Sequence, residues 1–549
     1  MPLVASTLYR NGVVHSSADP FAEAILVEDG TVAWLGADDS AAGFAGRADE
    51  VVDLDGALVT PAFVDSHVHV LETGLALDGL DLSAAAGVHS LADALGAVRR
   101  AVEARPAGAA DEVLLGFGWD EHGWPEGRRP TVEELDDAAG GAPVYLARVD
   151  VHSALVTTTL AERSGLAALP GWHQDGWVTG DAHHVARDTA RAFTPERRTA
   201  LYRRALEHAA SRGIAAVHEM SAPFIDTRAG LSELLATSAS AQSRLPLVVG
   251  YRAEACVTAD DAHQLLAAVP GLTGIGGDLN VDGSIGSRTA ALRVPYEDEP
   301  ETDGVLYLTA EQVANHVAAV TQAGLHAAFH VIGDRAMDEL LIGLQAAADV
   351  EGTAAIAAAG HRIEHAEMVD AMTLAQLVLL GVRVSAQPAF DAAWGGPDRM
   401  YAARLGTRRA IALNPFADLA TAGIPLAFGS DSPVTPLDPW AGVRAAVHHT
   451  AADQRISGRA AFRAATRGGW RLAGLDGTGA GELLVGAPAH LAVWRTSRLT
   501  VEPGQGRLST WSPEAQAGTP LLPDLSPDAE TPTCLRTVRD GVTIFDAMG

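Results

Sequence analysis

Two histidines, His67 and His69, stand one residue apart at the end of an apolar run, and their spacing suggests chemistry. Alternate residues of a β-strand face the same side, so the two imidazoles would lie next to each other. Paired imidazoles are common ligands of zinc and related divalent cations. In a chain with 20 histidines, however, one such pair says little by itself.

Three further apolar runs also end in a side chain that can bind a metal. His330 and His365 close two of these runs, and Asp431 closes the third. In barrels of parallel strands, active sites are built where the strands end. The pattern therefore predicts a divalent metal, most simply one zinc ion, held by His67, His69, His330, His365 and Asp431.

Short apolar runs and helical stretches alternate through the middle of the chain, as they do around a parallel sheet. Runs such as Ala62–Val68, Val113–Phe117, Pro143–Ala147 and His326–Val331 predict its strands. Both chain ends instead have short strands broken by Asn-Gly and Asp-Gly turns. We expect a (β/α)8 barrel over residues 61–478 with an insertion at about 77–188, and a small β-sandwich from residues 1–60 and 479–549. A doubly wound sheet is the alternative, but no glycine-rich phosphate loop follows a strand.

The composition of the chain excludes several partners and several kinds of catalytic chemistry. The formal charge of −30 repels phosphate backbones, so we expect no nucleic-acid partner. No run of 18 apolar residues and no signal segment occurs, so we expect a cytoplasmic protein that does not bind membranes. All 39 basic residues are arginines, which excludes a Schiff-base lysine, a phosphate-loop lysine and a carboxylated lysine.

Six short stretches carry a family pattern: Pro61–His69, Gly116–Asp120, Asp282–Ala290, His330–Ala336, Arg362–Ala366 and Gly429–Val434. In these stretches, and over nearly its whole length, the chain resembles the amidohydrolase superfamily. The resemblance is strongest to the amidohydrolase-3 branch, which includes N-substituted formamide deformylases. It implies metal-dependent hydrolysis of an amide-type, non-peptide C–N bond in a small-molecule substrate. It is also compatible with a homodimer, which the family often forms.

One position departs from the family pattern. Many relatives have a lysine four residues before the Asp-Gly-Ser run, and its carboxylated form bridges two metals. Here that position is Asp278, whose side chain reaches roughly 5 Å less at ordinary bond lengths. We therefore expect one tightly held ion, with Asp278 contributing at most to a weak second site.

The remaining roles follow from positions at strand ends and from the resemblance. Asp431 is the candidate for proton transfer to and from water, with a purely structural ligand as the alternative. His152 matches a recurrent histidine of the branch and is the candidate donor to an oxyanion, with a core or surface role equally open. Arg288 and Arg335 either bind a substrate carboxylate or pair with nearby acids. The full set of candidate substrate-binding residues is Trp119, Asp120, Arg288, Arg335 and Gln387.

Two other functions fit the same ligands. A mononuclear deaminase of a heterocycle would need a ring-protonating glutamate close after the third histidine, whereas Asp334 stands four residues after His330. A non-catalytic metal-binding protein on the same fold is the other alternative, since fold alone does not imply catalysis. The pattern favours amide hydrolysis over both.

Overall fold

The structure, a computed structural model, describes residues 6–105, 111–148, 153–500 and 519–548. Its chain forms two compact units. One consists of Met1–Val70 together with Leu206–Gly549, and the other is Leu71–Ala205. The first unit contains the barrel and the sheets formed by the chain ends, so the predicted fold class is confirmed.

Eight parallel strands of the first unit form a nearly closed barrel. In chain order they are β1 Phe63–Val68, β2 Ile214–Ser221, β3 Leu247–Arg252, β4 Leu272–Ile275, β5 His326–Val331, β6 Arg362–His365, β7 Arg383–Ala386 and β8 Leu426–Phe428. Each strand pairs with the next in parallel register. The ring comes together between β1 and the segment after β8, where the Asp431 N–H donates to the His67 carbonyl at 2.8 Å.

Helices follow the barrel strands and pack their apolar residues inward. Thr258 and Thr309 start two of them with capping boxes, in which side chains satisfy the first free backbone N–H groups. The α-helices that lie wholly within this unit are Asp38–Ala41, Arg228–Ser238, Ala259–Ala268, Ala310–Gln322, Asp334–Glu351, Thr353–Ala359, Ala371–Leu379, Pro388–Trp394, Met400–Leu405, Thr407–Ala410, Phe416–Thr421, Pro439–Val447, Gly458–Ala465 and Arg467–Leu472. Within the described ranges, no single helix has the length and apolarity to cross a bilayer, and only the bent pair 334–351 and 353–359 passes when taken together.

Two sheets form the predicted sandwich, one from N-terminal strands alone and the other from strands of both chain ends. One has the order Thr31–Gly36, Ala24–Glu28, Thr7–Arg10 and Glu50–Asp53. The other has the order Val13–Val14, Leu58–Pro61, Leu491–Arg495, Thr533–Arg539 and Val542–Asp546. Tyr9, Ile25, Val59, Leu491 and Val538 share one buried cluster, so hydrophobic packing joins the two ends.

The second unit has a sheet of its own, with the order Trp177–Thr179, Ser153–Val156, Val144–Arg148, Leu114–Trp119 and Leu80–Asp81. Its helices are Leu91–Glu103, Val132–Ala139, Thr158–Ser164 and Gly180–Ala190, and helices Val70–Asp78 and Pro195–Ser211 span its boundaries. The runs Val113–Phe117 and Pro143–Ala147 therefore do not contribute barrel strands. Both runs lie inside the expected insertion at about 77–188, and an apolar run by itself indicates a buried strand without indicating its sheet.

Candidate metal centre

The His-x-His pair lies at the end of β1, as its spacing predicts. The Nε2 atoms of His67 and His69 lie 3.4 and 3.2 Å from the same carboxylate oxygen, Oδ1 of Asp431. Asp431 has a left-handed φ of 56°, which costs energy for a residue other than glycine. All three side chains are buried, and their ligand atoms lie within 4.8 Å of one another.

Asp278 also reaches this pair of histidines. Its Oδ1 lies 3.4 Å from His67 Nε2, and its Oδ2 lies 3.1 Å from His69 Nε2. Gly276 and Gly277, with φ of 124° and 85°, turn the chain just before it. A Cβ at Gly276 would lie only 1.8 Å from the Ala328 carbonyl oxygen, so this path requires glycine.

The other two predicted histidines complete the cluster. His330 and His365 lie on β5 and β6, and their ring centroids are 4.5 Å apart. The His365 ring is also 4.9 Å from that of His67. Within the described part of the chain, the buried atoms His67 Nε2, Asp278 Oδ1, His330 Nδ1 and His365 Nδ1 have no hydrogen-bond partner. Buried polar atoms are rarely left unpaired, so this set of donors fits a divalent cation.

The electrostatics of the cluster also favour a cation. Burial alone would lower the pKa of His67, but the carboxylates of Asp278 and Asp431 outweigh it and raise that pKa to about 10. The same two carboxylates raise the pKa of His69 well above its usual value, again against burial. The two carboxylates thus create a strongly negative potential, which protons or a metal ion can neutralise.

A buried ion pair behind His67 was not among the predicted site residues. Glu364 Oε2 accepts a hydrogen bond from His67 Nδ1 at 2.9 Å, which directs the free Nε2 toward the cluster. Arg362 pairs with the other Glu364 oxygen at 2.6 Å and donates to the Ser66 carbonyl at 2.8 Å. Both side chains are fully buried. The signal in the sequence is a pair of charged residues at alternate positions of a buried strand.

Two buried aspartates position the loops that carry the ligands. Asp65 Oδ1 accepts the backbone N–H groups of His67 at 3.1 Å and Ser430 at 2.9 Å. Asp282 accepts the N–H groups of Ile332 and Gly333, which follow β5. Burial raises the pKa of each aspartate to about 6. Both residues lie in the family-like stretches, but their role depends on contacts between distant strands.

The predicted substrate-binding residues have varied surroundings. Arg288 pairs with Asp298 at 2.9 Å and Arg335 with Asp303 at 3.0 Å, so both arginines have acidic partners in this structure. Gln387 is 1 % exposed and follows β7 directly. Their binding of substrate stays a prediction.

Trp119 and Asp120 belong to the second unit. The Trp119 ring is buried in that unit's core and its Nε1 donates to the Leu146 carbonyl at 3.1 Å. Asp120 pairs with Arg148 at 3.1 Å. His152, the predicted oxyanion donor, lies outside the described residues.

The barrel, its terminal sandwich and the cluster of histidines and carboxylates define a metal-dependent hydrolase. A sequence profile of the amidohydrolase family matches residues 50–545, and the chain therefore belongs to that family. The resemblance predicted from the six stretches is confirmed.

Individual relatives agree with this assignment. The chain is 28 % identical to Protein LONG AFTER FAR-RED 3 of Arabidopsis thaliana, over 86 % of this chain and 84 % of that protein. It is 21 % identical to N-substituted formamide deformylase of Arthrobacter pascens, over 76 % of this chain and 78 % of the enzyme. Among solved structures, an uncharacterized metal-dependent hydrolase from Pyrococcus furiosus superposes with a TM-score of 0.73 at 28 % identity, covering 89 % of this chain and 98 % of that one.

Proposed function

We propose that this protein hydrolyses an amide-type, non-peptide C–N bond of a small molecule, using one divalent cation, most simply zinc. The observation that carries the proposal is the convergence of buried, unpaired nitrogen atoms with two carboxylates at the ends of the barrel strands. His67, His69, His330, His365 and Asp431 would hold the ion, with Asp278 beside them.

The chemistry of His67 supports a single ion. Two groups of side chains are close enough to bind a metal: one is His67, His69 and Asp431, and the other is His67, Asp278 and His365. His67 belongs to both groups, but its Nδ1 donates to Glu364, which leaves Nε2 as its ligand atom. One imidazole nitrogen has one lone pair and binds one ion. The two groups therefore describe one coordination sphere more readily than two.

A divalent cation in this position supplies Lewis acidity, which polarises a carbonyl oxygen and acidifies water. Asp431 is placed to take the proton of the attacking water and to deliver it to the departing nitrogen. Its carboxylate lies at the histidine pair, and its side chain is 10 % exposed, so water competes little for its oxygens. Glu364 and Arg362 hold His67 in one tautomer and one orientation.

Two observations favour an amide over an aminated heterocycle. Asp334, the carboxylate nearest in sequence after His330, accepts the backbone N–H of Arg293 at 2.8 Å and begins a helix. It is thus engaged in holding a loop rather than free to protonate a ring. The deformylase relative is, by its name, an enzyme that acts on N-substituted formamides.

A substrate screen tests the proposal. The zinc-loaded protein is incubated with N-formyl amines, N-acyl amino acids, hydantoins and aminopyrimidines, and amine, carboxylate and ammonia are measured. We expect amine together with formate or carboxylate from at least one N-substituted amide. Ammonia from an aminopyrimidine at kcat/KM near about 10⁴ M⁻¹s⁻¹, with no amide turned over, would show a deaminase instead.

A further inference from the structure

The residue after β7 is a buried polar side chain without partners. Gln387 is 1 % exposed, and in the part of the chain that the structure describes neither its amide oxygen nor its amide nitrogen has a hydrogen-bond partner. A carboxamide has two donors and two acceptor sites, and burying all of them unpaired is unfavourable. This position therefore suits a ligand that offers both a donor and an acceptor.

The strand geometry directs Gln387 toward the metal centre. Two residues earlier, the buried Ser385 hydroxyl lies 2.8 Å from that of Ser66 on β1, although strand β8 stands between β7 and β1 in the nearly closed barrel, so the two side chains meet across the barrel interior. Alternate residues of a strand face the same side, so Gln387 continues this inward face at the end where active sites are built. Of the strands on either side of β7, β6 ends at His365 and β8 ends three residues before Asp431.

Aromatic side chains follow Gln387 on the helix Pro388–Trp394. The buried Phe390 ring stacks on His365 with centroids 5.9 Å apart and planes 13° apart. Trp394 is half-buried, and its ring lies 4.7 Å from that of Phe390. The half-buried Met368 and Met400 pack against the same cluster. These side chains thus form an apolar surface that extends from the candidate metal ligand His365 to the partly exposed Trp394.

We propose that residues 387–394 form the substrate-recognition segment of this enzyme, and that the substrate carries an aromatic or other flat apolar group. The Gln387 carboxamide accepts from and donates to the amide group that is cleaved. Phe390 and Trp394 hold the apolar substituent, since aromatic faces pair well with flat rings. The inference rests on the proposed function and specifies its substrate class.

Binding of two metal-directed probes separates this inference from the proposed function. Acetohydroxamic acid and its phenyl derivative, phenylacetohydroxamic acid, are titrated calorimetrically into the zinc-loaded protein. We expect the phenyl probe to bind about tenfold more tightly, in the range that a few buried apolar groups provide. Trp394→Ala should remove this preference and leave the Kd of acetohydroxamic acid unchanged. Gln387→Met, which keeps the size of the side chain without its polar atoms, should weaken both probes about tenfold.

Trp34→Ala is the matched control, because Trp34 is also half-buried but packs on Phe44 in the sandwich. It should keep the preference for the phenyl probe. Zinc content and thermal unfolding are measured for each variant, and Trp394→Leu takes the place of Trp394→Ala if the latter loses zinc. A phenyl preference that survives loss of the Trp394 ring, or unchanged binding by Gln387→Met, overturns the inference. If the zinc-loaded protein binds neither probe and cleaves no amide, the proposed function itself fails.

Discussion

Replacing Glu364 with glutamine tests whether the ion pair behind His67 tunes the metal centre. Glu364→Gln keeps an oxygen to accept the His67 Nδ1–H but removes the charge from that 2.9 Å bond. A hydrogen bond to a charged group contributes about 1.5–3 kcal/mol, against about 1 kcal/mol for a neutral one. The difference of about 0.5–2 kcal/mol corresponds to roughly 2- to 30-fold in affinity. Mutation of a residue that hydrogen-bonds a metal ligand typically weakens metal binding by about 10- to 100-fold. We therefore expect Glu364→Gln to weaken zinc binding about tenfold.

The assay is competition for zinc with a chelator of known affinity at pH 7. Glu254→Gln is a suitable control, since Glu254 also pairs with a buried arginine, Arg252, at 2.7 Å, and its side-chain hydrogen bonds go to Arg228 and Arg252. It should leave the zinc Kd unchanged. Because Arg362 loses its charged partner, Glu364→Gln should also lower the Tm. Identical zinc affinities for Glu364→Gln and the unaltered protein would refute the idea that this ion pair supports the ligand.

Two further predictions concern proton transfer and acid stability. Asp431→Asn should lower kcat by about 10² to 10⁴ while zinc content falls much less than in His67→Ala; equal loss of zinc in both variants would make Asp431 a purely structural ligand with no role as the base. Burial, reinforced by His316 and Arg383, lowers the pKa of His361 to about 3, and its Nδ1 accepts the Ala327 N–H. The folded protein therefore binds fewer protons here than the unfolded chain below the unfolded pKa of about 6.5, and stability falls as the pH drops from there toward 3. Between pH 7 and 5 the free energy of unfolding should fall by about 2 kcal/mol because of His361. Denaturant unfolding at the two pH values measures this loss, which should be absent in His361→Asn.

The candidate ligands could be predicted because each lies at the end of an apolar run. His67, His330 and Asp431 mark strand ends by sequence alone, and a parallel barrel gathers such ends at one face. The sandwich could also be predicted, because short strands separated by turns occur at both chain ends and must pack together to bury their apolar faces.

The contacts between distant segments could not be predicted in the same way. Arg362 and Glu364 contact Ser66 and His67 on β1. The sequence around Arg362 and Glu364 does not indicate which strand lies opposite them. The approach of Asp278 to His67 and His69 depends on how closely Gly276 packs against Ala328, which side-chain length alone does not reveal. Likewise Arg288 has an acidic partner, Asp298, only because the intervening loop folds back.

Zinc titration of the metal-free protein, with bound metal and amide hydrolysis followed together, tests the central claim most directly. One tightly bound ion per chain should restore full release of amine from an N-substituted amide, and further zinc should add nothing. Asp278→Ala should show the same one-to-one stoichiometry. Activity that needs two tightly bound ions per chain, both lost in Asp278→Ala, would contradict the single-ion centre. Full occupancy by zinc without hydrolysis of any amide would contradict the proposed reaction.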